Sequence, residues 1–176
     1  MINILKNSRV GFIDPLWNID DYRKLNYKLD FHKDRVLIEK YIESGHSRNH
    51  IVLYNYFEPN PMPESINYIK NNFDFLSNIS VAINLFKPGQ YLPYHRDLYE
   101  KFKSFHDIDR SSQIIRCIVM LEDWKPGQIM EIEKEVYSNW KAGDIFKWED
   151  SEFHSFYNLS MHDRFAVQVT GISKEL

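Results

Sequence analysis

The sequence predicts a mainly β protein, a jelly roll of eight short strands supported by helices in its N-terminal part. Two observations carry that expectation. From residue 79 onward, short apolar runs alternate with turn signals, among them Lys87-Pro88-Gly89 and Lys125-Pro126-Gly127. Eight short runs at this spacing argue for a sandwich or barrel rather than for a parallel sheet, whose strands alternate with helices of about 10–15 residues.

At 176 residues the chain fits one domain with a sizeable core, and 43% of its residues are hydrophobic, 15% aromatic and 27% charged. Its formal charge of -3 gives no global electrostatic basis for binding nucleic acid or an anionic membrane, so neither is expected as a partner. The single cysteine, Cys117, excludes an intramolecular disulfide and a cysteine-based zinc site, and its place in IIRCIVML reads as a small buried hydrophobe. The first residues, MINILKNSRVGFIDPLWN, lack the apolar region and cleavage site of a signal peptide. No apolar stretch approaches the roughly 18 residues needed to span a bilayer. A soluble protein of the reducing cytoplasm is expected.

In chain order, residues 1–30 carry Trp17, Tyr22 and Tyr27 without a sustained period and read as an irregular arm. Residues 34–44 place Val36, Leu37 and Tyr41 near helical spacing, with Gly45 as a C-terminal cap. The β-branched and aromatic residues 50–57 (HIVLYNYF) read as a strand halted by Glu58-Pro59-Asn60-Pro61. Residues 63–76 put Ile66, Ile69, Phe73 and Leu76 on one helical face, with proline in the first turn. The eight strands of the core, residues 79–171, follow at 79–86, 91–97, 113–121, 128–132, 135–140, 144–148, 154–158 and 164–171. Residues 98–112 (LYEKFKSFHDIDRSS) form a connection long enough to be functional, and a flexible lid is the reading it invites.

His95-Arg96-Asp97 sits where the second strand meets that lid. On an extended segment, His95 and Asp97 would share a face because side chains alternate with period two, and could be two ligands of one metal. His154, at the start of the seventh strand, supplies a third ligand if the second and seventh strands are neighbours. Two histidines and one carboxylate leave three positions open, as in non-haem Fe(II) oxygenases. Each histidine alone reads more readily as a packed or surface residue than as a ligand. Arg164 opens the apolar strand RFAVQVTG ten positions after His154, where an inward guanidinium needs an anion. That anion is either an acidic side chain or the carboxylate of a bound co-substrate. Arg116, within the apolar run 114–121 (IIRCIVML), is either salt-bridged or aimed at a substrate carboxylate or phosphate. Arg96 should point away from the metal, and Trp124, Trp140 and Trp148 read as packing aromatics. His32, His46, His50, His106 and His162 have no partner at ligand spacing.

The order HxD, distal His and then Arg ten residues later resembles the Fe(II)/2-oxoglutarate-dependent dioxygenases, whose fold is the double-stranded β-helix, a cupin-like jelly roll. FKPGQYLPYHRD is similar to the corresponding entry of prolyl-hydroxylase-like members, and RCIVMLEDW with WKAGDIFKWED is similar to the aspartyl/asparaginyl β-hydroxylase branch. The resemblance implies Fe(II) on His95, Asp97 and His154, with 2-oxoglutarate as co-substrate held at its distal carboxylate by Arg164. It also implies Tyr91 as a co-substrate contact and Arg116 as a substrate contact. Tyr91 stands four residues before His95, where prolyl hydroxylases have a tyrosine three before. Asp97 is retained where the classical aspartyl hydroxylases carry glycine, which argues against halogenation at a vacant ligand position. The implied reaction consumes dioxygen, hydroxylates an amino-acid, peptide or other small polar substrate, and releases succinate and CO2. Two other readings use the same shape: a cupin-like binding or structural jelly roll without turnover, and a metal enzyme that uses no keto acid.

Overall fold

The structure is a computed structural model that describes residues 9–31, 34–58, 60–108 and 112–174. Residues 1–8 of the expected arm, His32, Pro59, residues 109–111 of the expected lid and the last two residues lie outside the described residues. The strands are β1 (Arg9–Phe12), β2 (Lys28–Phe31), β3 (Val52–Phe57), β4 (Leu76–Phe86), β5 (Gln90–His95), β6 (Ile114–Met120), β7 (Gln128–Ile132), β8 (Glu135–Tyr137), β9 (Asp144–Glu149), β10 (His154–Asn158) and β11 (Arg164–Ser173). Four helices, α1 (Ile19–Arg23), α2 (Arg35–Glu43), α3 (Ser65–Lys70) and α4 (Glu100–His106), accompany them among the described residues.

Two antiparallel sheets face each other, a seven-stranded one in the order β1-β9-β6-β11-β4-β3-β2 and a four-stranded one in the order β5-β10-β7-β8. This is the mainly β jelly roll that the sequence predicts, with its eight core strands found in order. The expected irregular arm is corrected: β1 adds to one edge of the large sheet, and β2 adds to the other through β3. RVGF and KLDF are four-residue strands, too short to show a period, and they are defined by the edges they pair with.

Alternation along the central strands divides the molecule into two layers of core. Val81, Ile83 and Leu85 of β4, Ile115, Cys117 and Val119 of β6, and Phe165, Val167 and Val169 of β11 point outward. Ile66, Ile69, Phe73 and Tyr22 cover them. Cys117 is fully buried, and burial pushes its thiol up to about 12, as expected of a packing residue. The opposite faces carry Phe86, Ile118, Met120 and Ala166, which meet Leu92, Met130, Ile132 and Phe156 of the small sheet. The expected helix over 63–76 is shorter: it ends at Lys70, and Leu76 already begins β4. Its apolar residues keep their contacts because the turn at 71–75 delivers Phe73 to the same layer. The N-terminal helices buttress both sheets, since Ile38 of α2 packs with Tyr91 on the outer side of β5.

The connection after β5 is not irregular throughout. It holds α4, bracketed by left-handed residues Tyr99 (φ 52°) and Asp107 (φ 48°), and buries Phe102 against Tyr99 and Ile114. None of the described helices is long and apolar enough to cross a membrane.

Candidate metal centre

β5 and β10 are hydrogen-bonded neighbours, and His154 lies directly opposite His95. The register then slips: Phe156 of β10 faces Leu92, so β5 carries one extra residue between Leu92 and His95. Pro93, which has no N–H to give to a ladder, lies in that bulge. The bulge lets both Leu92 and His95 point between the sheets although they are three residues apart.

Asp97 lies beyond the end of β5, so strand alternation is not what aims it. The turn after β5 brings its carboxylate to the two rings instead, with Oδ2 3.4 Å from His154 Nε2 and Oδ1 3.9 Å from His95 Nε2. The three groups each offer one ligand atom, all within 4.8 Å of one another. Two metal bonds of about 2.1 Å put their ligand atoms at most about 4.2 Å apart, so modest closure brings this set onto one cation. The donor set of two imidazoles and one carboxylate suits a divalent transition metal.

Both rings are oriented for ligation. His95 Nδ1 lies 2.6 Å from the Pro93 carbonyl and His154 Nδ1 lies 3.4 Å from the Glu152 carbonyl. A carbonyl can only accept, so Nδ1 carries the hydrogen and Nε2 keeps its lone pair towards Asp97. Burial, reinforced by His154, pushes His95 down to about 4 against the opposing pull of Asp97, and the ring is neutral at physiological pH. Burial would raise Asp97, but the Arg116 guanidinium, the two histidines and the Trp148 indole hold its carboxyl well below the usual range.

Arg116 resolves to the ion-pair alternative. Its Nη1 lies 2.7 Å from Asp97 Oδ2, its Nε donates to Thr170 Oγ1 at 3.1 Å, and its plane lies over the Tyr99 ring. Trp148 Nε1 donates to the same carboxylate oxygen at 3.1 Å. The sequence reads Trp148 as a packing aromatic; its indole N–H makes it a support for Asp97 as well. Asn84 and Gln168, which line the pocket beside the three ligands, were also missed, although each is a polar residue inside an apolar strand.

Arg164 lines the same pocket as His95, Asp97 and His154. It is 4% exposed, and its guanidinium lies over the rings of Phe86, Trp140 and Phe156. Its one polar contact among the described residues is Nη2 to Met120 Sδ at 3.8 Å, while Nε and Nη1 are buried without a hydrogen-bond partner. Burial lowers its pKa without removing its charge.

Tyr91 is not brought to this site. The bulge at Pro93 turns it to the outer side of the small sheet, where it packs with Ile38 and Ile51 and its hydroxyl meets His46 Nδ1. Arg96 is exposed and stacks on Phe153, away from the centre as expected. His106 bonds Ser80 Oγ at 2.9 Å.

No family model matches this sequence, and no curated protein is similar to it at the level of sequence. Solved structures do resemble it. A prolyl-4-hydroxylase from Pseudomonas putida superposes with a TM-score of 0.55 at 11% identity, covering 89% of this chain and 97% of the hydroxylase. A cupin domain from Schizosaccharomyces pombe (TM-score 0.43, 9% identity, 69% of this chain and 65% of that one) is also similar. So is a cupin protein from Bacteroides fragilis (TM-score 0.40, 16% identity, 57% and 71%). At 11% identity the likeness to the hydroxylase is one of fold alone, and it agrees with the jelly roll of two facing antiparallel sheets described above.

Proposed function

We propose that this chain is an Fe(II)- and 2-oxoglutarate-dependent dioxygenase that hydroxylates an amino-acid, peptide or other small polar substrate. The observation that carries the reading is Arg164, a buried guanidinium that lines the metal pocket and pairs with no acidic side chain among the described residues. Keeping an unpaired charge there costs several kcal/mol, on the order of the penalty for any buried ion. A carboxylate held by two parallel hydrogen bonds would offset it.

His95 and His154 would hold the iron through Nε2 and Asp97 through a carboxylate oxygen, with Arg116 and Trp148 fixing the carboxylate. Arg164 would grip the far carboxylate of the keto acid. When bound, metal and keto acid supply the oxidation: one atom of dioxygen enters the substrate C–H bond and the other enters succinate, with CO2 released. The walls contributed by Phe86, Leu92 and Phe156 keep water from that reaction. The free volume between the two ends is about 30 Å3, room for one or two waters, so entry of a five-carbon diacid requires those walls to draw apart.

Anaerobic addition of Fe(II) and 2-oxoglutarate tests the proposal. A weak visible charge-transfer band should appear only when both are present and should vanish in His95→Ala and Asp97→Ala. Folded wild-type protein that binds Fe(II) but gives no band would instead be a cupin-like binding protein or a metal enzyme that uses no keto acid. Arg164→Met should weaken 2-oxoglutarate binding by about tenfold or more, the loss of a charge-assisted pair, and leave Fe(II) binding intact. Equal loss of both would make Arg164 a structural residue.

A further inference from the structure

A second, larger cavity of about 290 Å3 lies under α4, between that helix and the inner face of the large sheet. Arg116 and Gln168 line both this cavity and the metal pocket, so the two adjoin along the β6 and β11 strands. Its walls are largely apolar: Phe57 and Ala82 from the sheet, Ile79 beside them, and Phe102 and Phe105 from the helix. Phe102 is buried, and Phe105, at the cavity's edge, is 76% exposed.

The cavity is also charged, and unevenly. Arg116 at its inner end already has a carboxylate, Asp97 Oδ2 at 2.7 Å. Glu58, the acidic group in the lining, faces Lys70 at 3.4 Å and the Val81 amide. Lys101 is exposed at the outer end, lies over the Phe57 ring at 4.2 Å, and pairs with no acidic side chain among the described residues. An apolar chamber with an ammonium at its mouth that pairs with no acidic side chain among the described residues matches an amphipathic anion better than a neutral or cationic molecule.

We infer that this cavity is the substrate site of the proposed oxygenase and that it takes an amphipathic anion, whose carboxylate or phosphate meets Lys101 and whose apolar body lies between Phe57 and Phe102. The size sets a limit. A dry cavity of about 150 Å3 accepts benzene, so about twice that volume accepts on the order of ten to twelve heavy atoms. The substrate is then an acid with a short aliphatic or aromatic body, a narrower class than the amino-acid, peptide or other small polar substrate that the resemblance implies. Its identification as a substrate site rests on the oxygenase reading; its ligand class does not.

Octanoate, an acid of about ten heavy atoms, is a suitable probe for such a volume. Calorimetric titration into the metal-free full-length protein should show saturable binding, with octanol and octylamine weaker by about tenfold or more, the worth of a charge-assisted contact. Lys101→Glu, an exposed change that leaves the core alone, should abolish the preference for the acid. Ala82→Leu should fill the floor and remove binding of all three probes. If that variant does not fold, Phe105→Ala replaces it and should weaken all three probes equally. Equal binding of acid, alcohol and amine, or an unchanged preference in Lys101→Glu, overturns the inference. Octanoate should also stimulate succinate formation by the Fe(II)-loaded protein. Binding without stimulation, in protein that shows the charge-transfer band, rejects the cavity as substrate site. Binding in protein that never shows the band rejects the oxygenase reading and leaves the ligand class standing.

Discussion

The same three strands, β4, β6 and β11, present two unlike faces. Outward, Ile83, Val119 and Val167 join an apolar layer sealed by α3 and the N-terminal segment. Inward, the alternate positions interleave Phe86, Ile118 and Ala166 with Asn84, Arg116, Arg164 and Gln168. A fold gains little from polar groups facing its partner sheet, because each must be desolvated and repaid by a partner. The outer face is therefore where stability is concentrated, and the inner face is where stability is given up for a site.

The largest expected effect is on the outer face. Ile83→Ala removes a fully buried side chain from the outer layer and should cost about 2–5 kcal/mol in urea unfolding. Iron binding by the protein that remains folded should not change. A cost well under about 1 kcal/mol would mean that this layer is not the main source of stability.

The inner face should respond with the opposite sign. Arg164→Met keeps a long apolar stem among Phe86, Trp140 and Phe156 and removes a charge that has no acidic partner among the described residues. The ring contacts of the guanidinium recover about 0.5–2 kcal/mol each at most. Replacing a buried charge with a hydrophobe often stabilises by about 1–4 kcal/mol. A gain of about 1 kcal/mol or more in the ligand-free protein is expected, and a loss would assign Arg164 to the core.

Acid should reach the inner face before it reaches the outer one. The unfolded chain binds a proton on His95 near the ordinary 6.5, whereas the folded chain refuses it until about 4. Between those values the unfolded state holds more protons, so stability of the metal-free protein falls as pH drops through that window. His95→Gln should flatten the urea midpoint over the same range; an unchanged slope would place the proton uptake elsewhere.

These contrasts were legible in the sequence to different degrees. The eight core strands follow from apolar runs set off by turn signals, His154 from its place at the start of the seventh run, and Arg164 from a charge opening an apolar strand, all of which the sequence displays directly. β1 and β2 were not legible, because a four-residue strand is defined by the edge it pairs with. Asp97 reaches His95 and His154 by a turn and not by the strand periodicity that suggested it. The Arg116 partner was open between two alternatives because pairing across 19 residues, through a turn and a helix, leaves no local trace. Asn84 and Gln168 did leave one, as polar letters in VAINLF and RFAVQVTG.

Tyr91 shows most directly how one inserted residue separates the two sides of a sheet. The resemblance implies Tyr91 as a co-substrate contact, and unbroken alternation back from His95 through Pro93 would put its phenol on the side of the three ligands. The bulge shifts the count by one, so Leu92 takes the inward position and Tyr91 joins α2 and His46 outside. Tyr91→Phe should therefore cost only the hydrogen bond to His46, about 0.5–1.5 kcal/mol, and leave Fe(II) and 2-oxoglutarate binding at wild-type levels. If the substitution weakens 2-oxoglutarate binding by about tenfold, the phenol does reach the pocket and the bulge does not persist in the loaded protein.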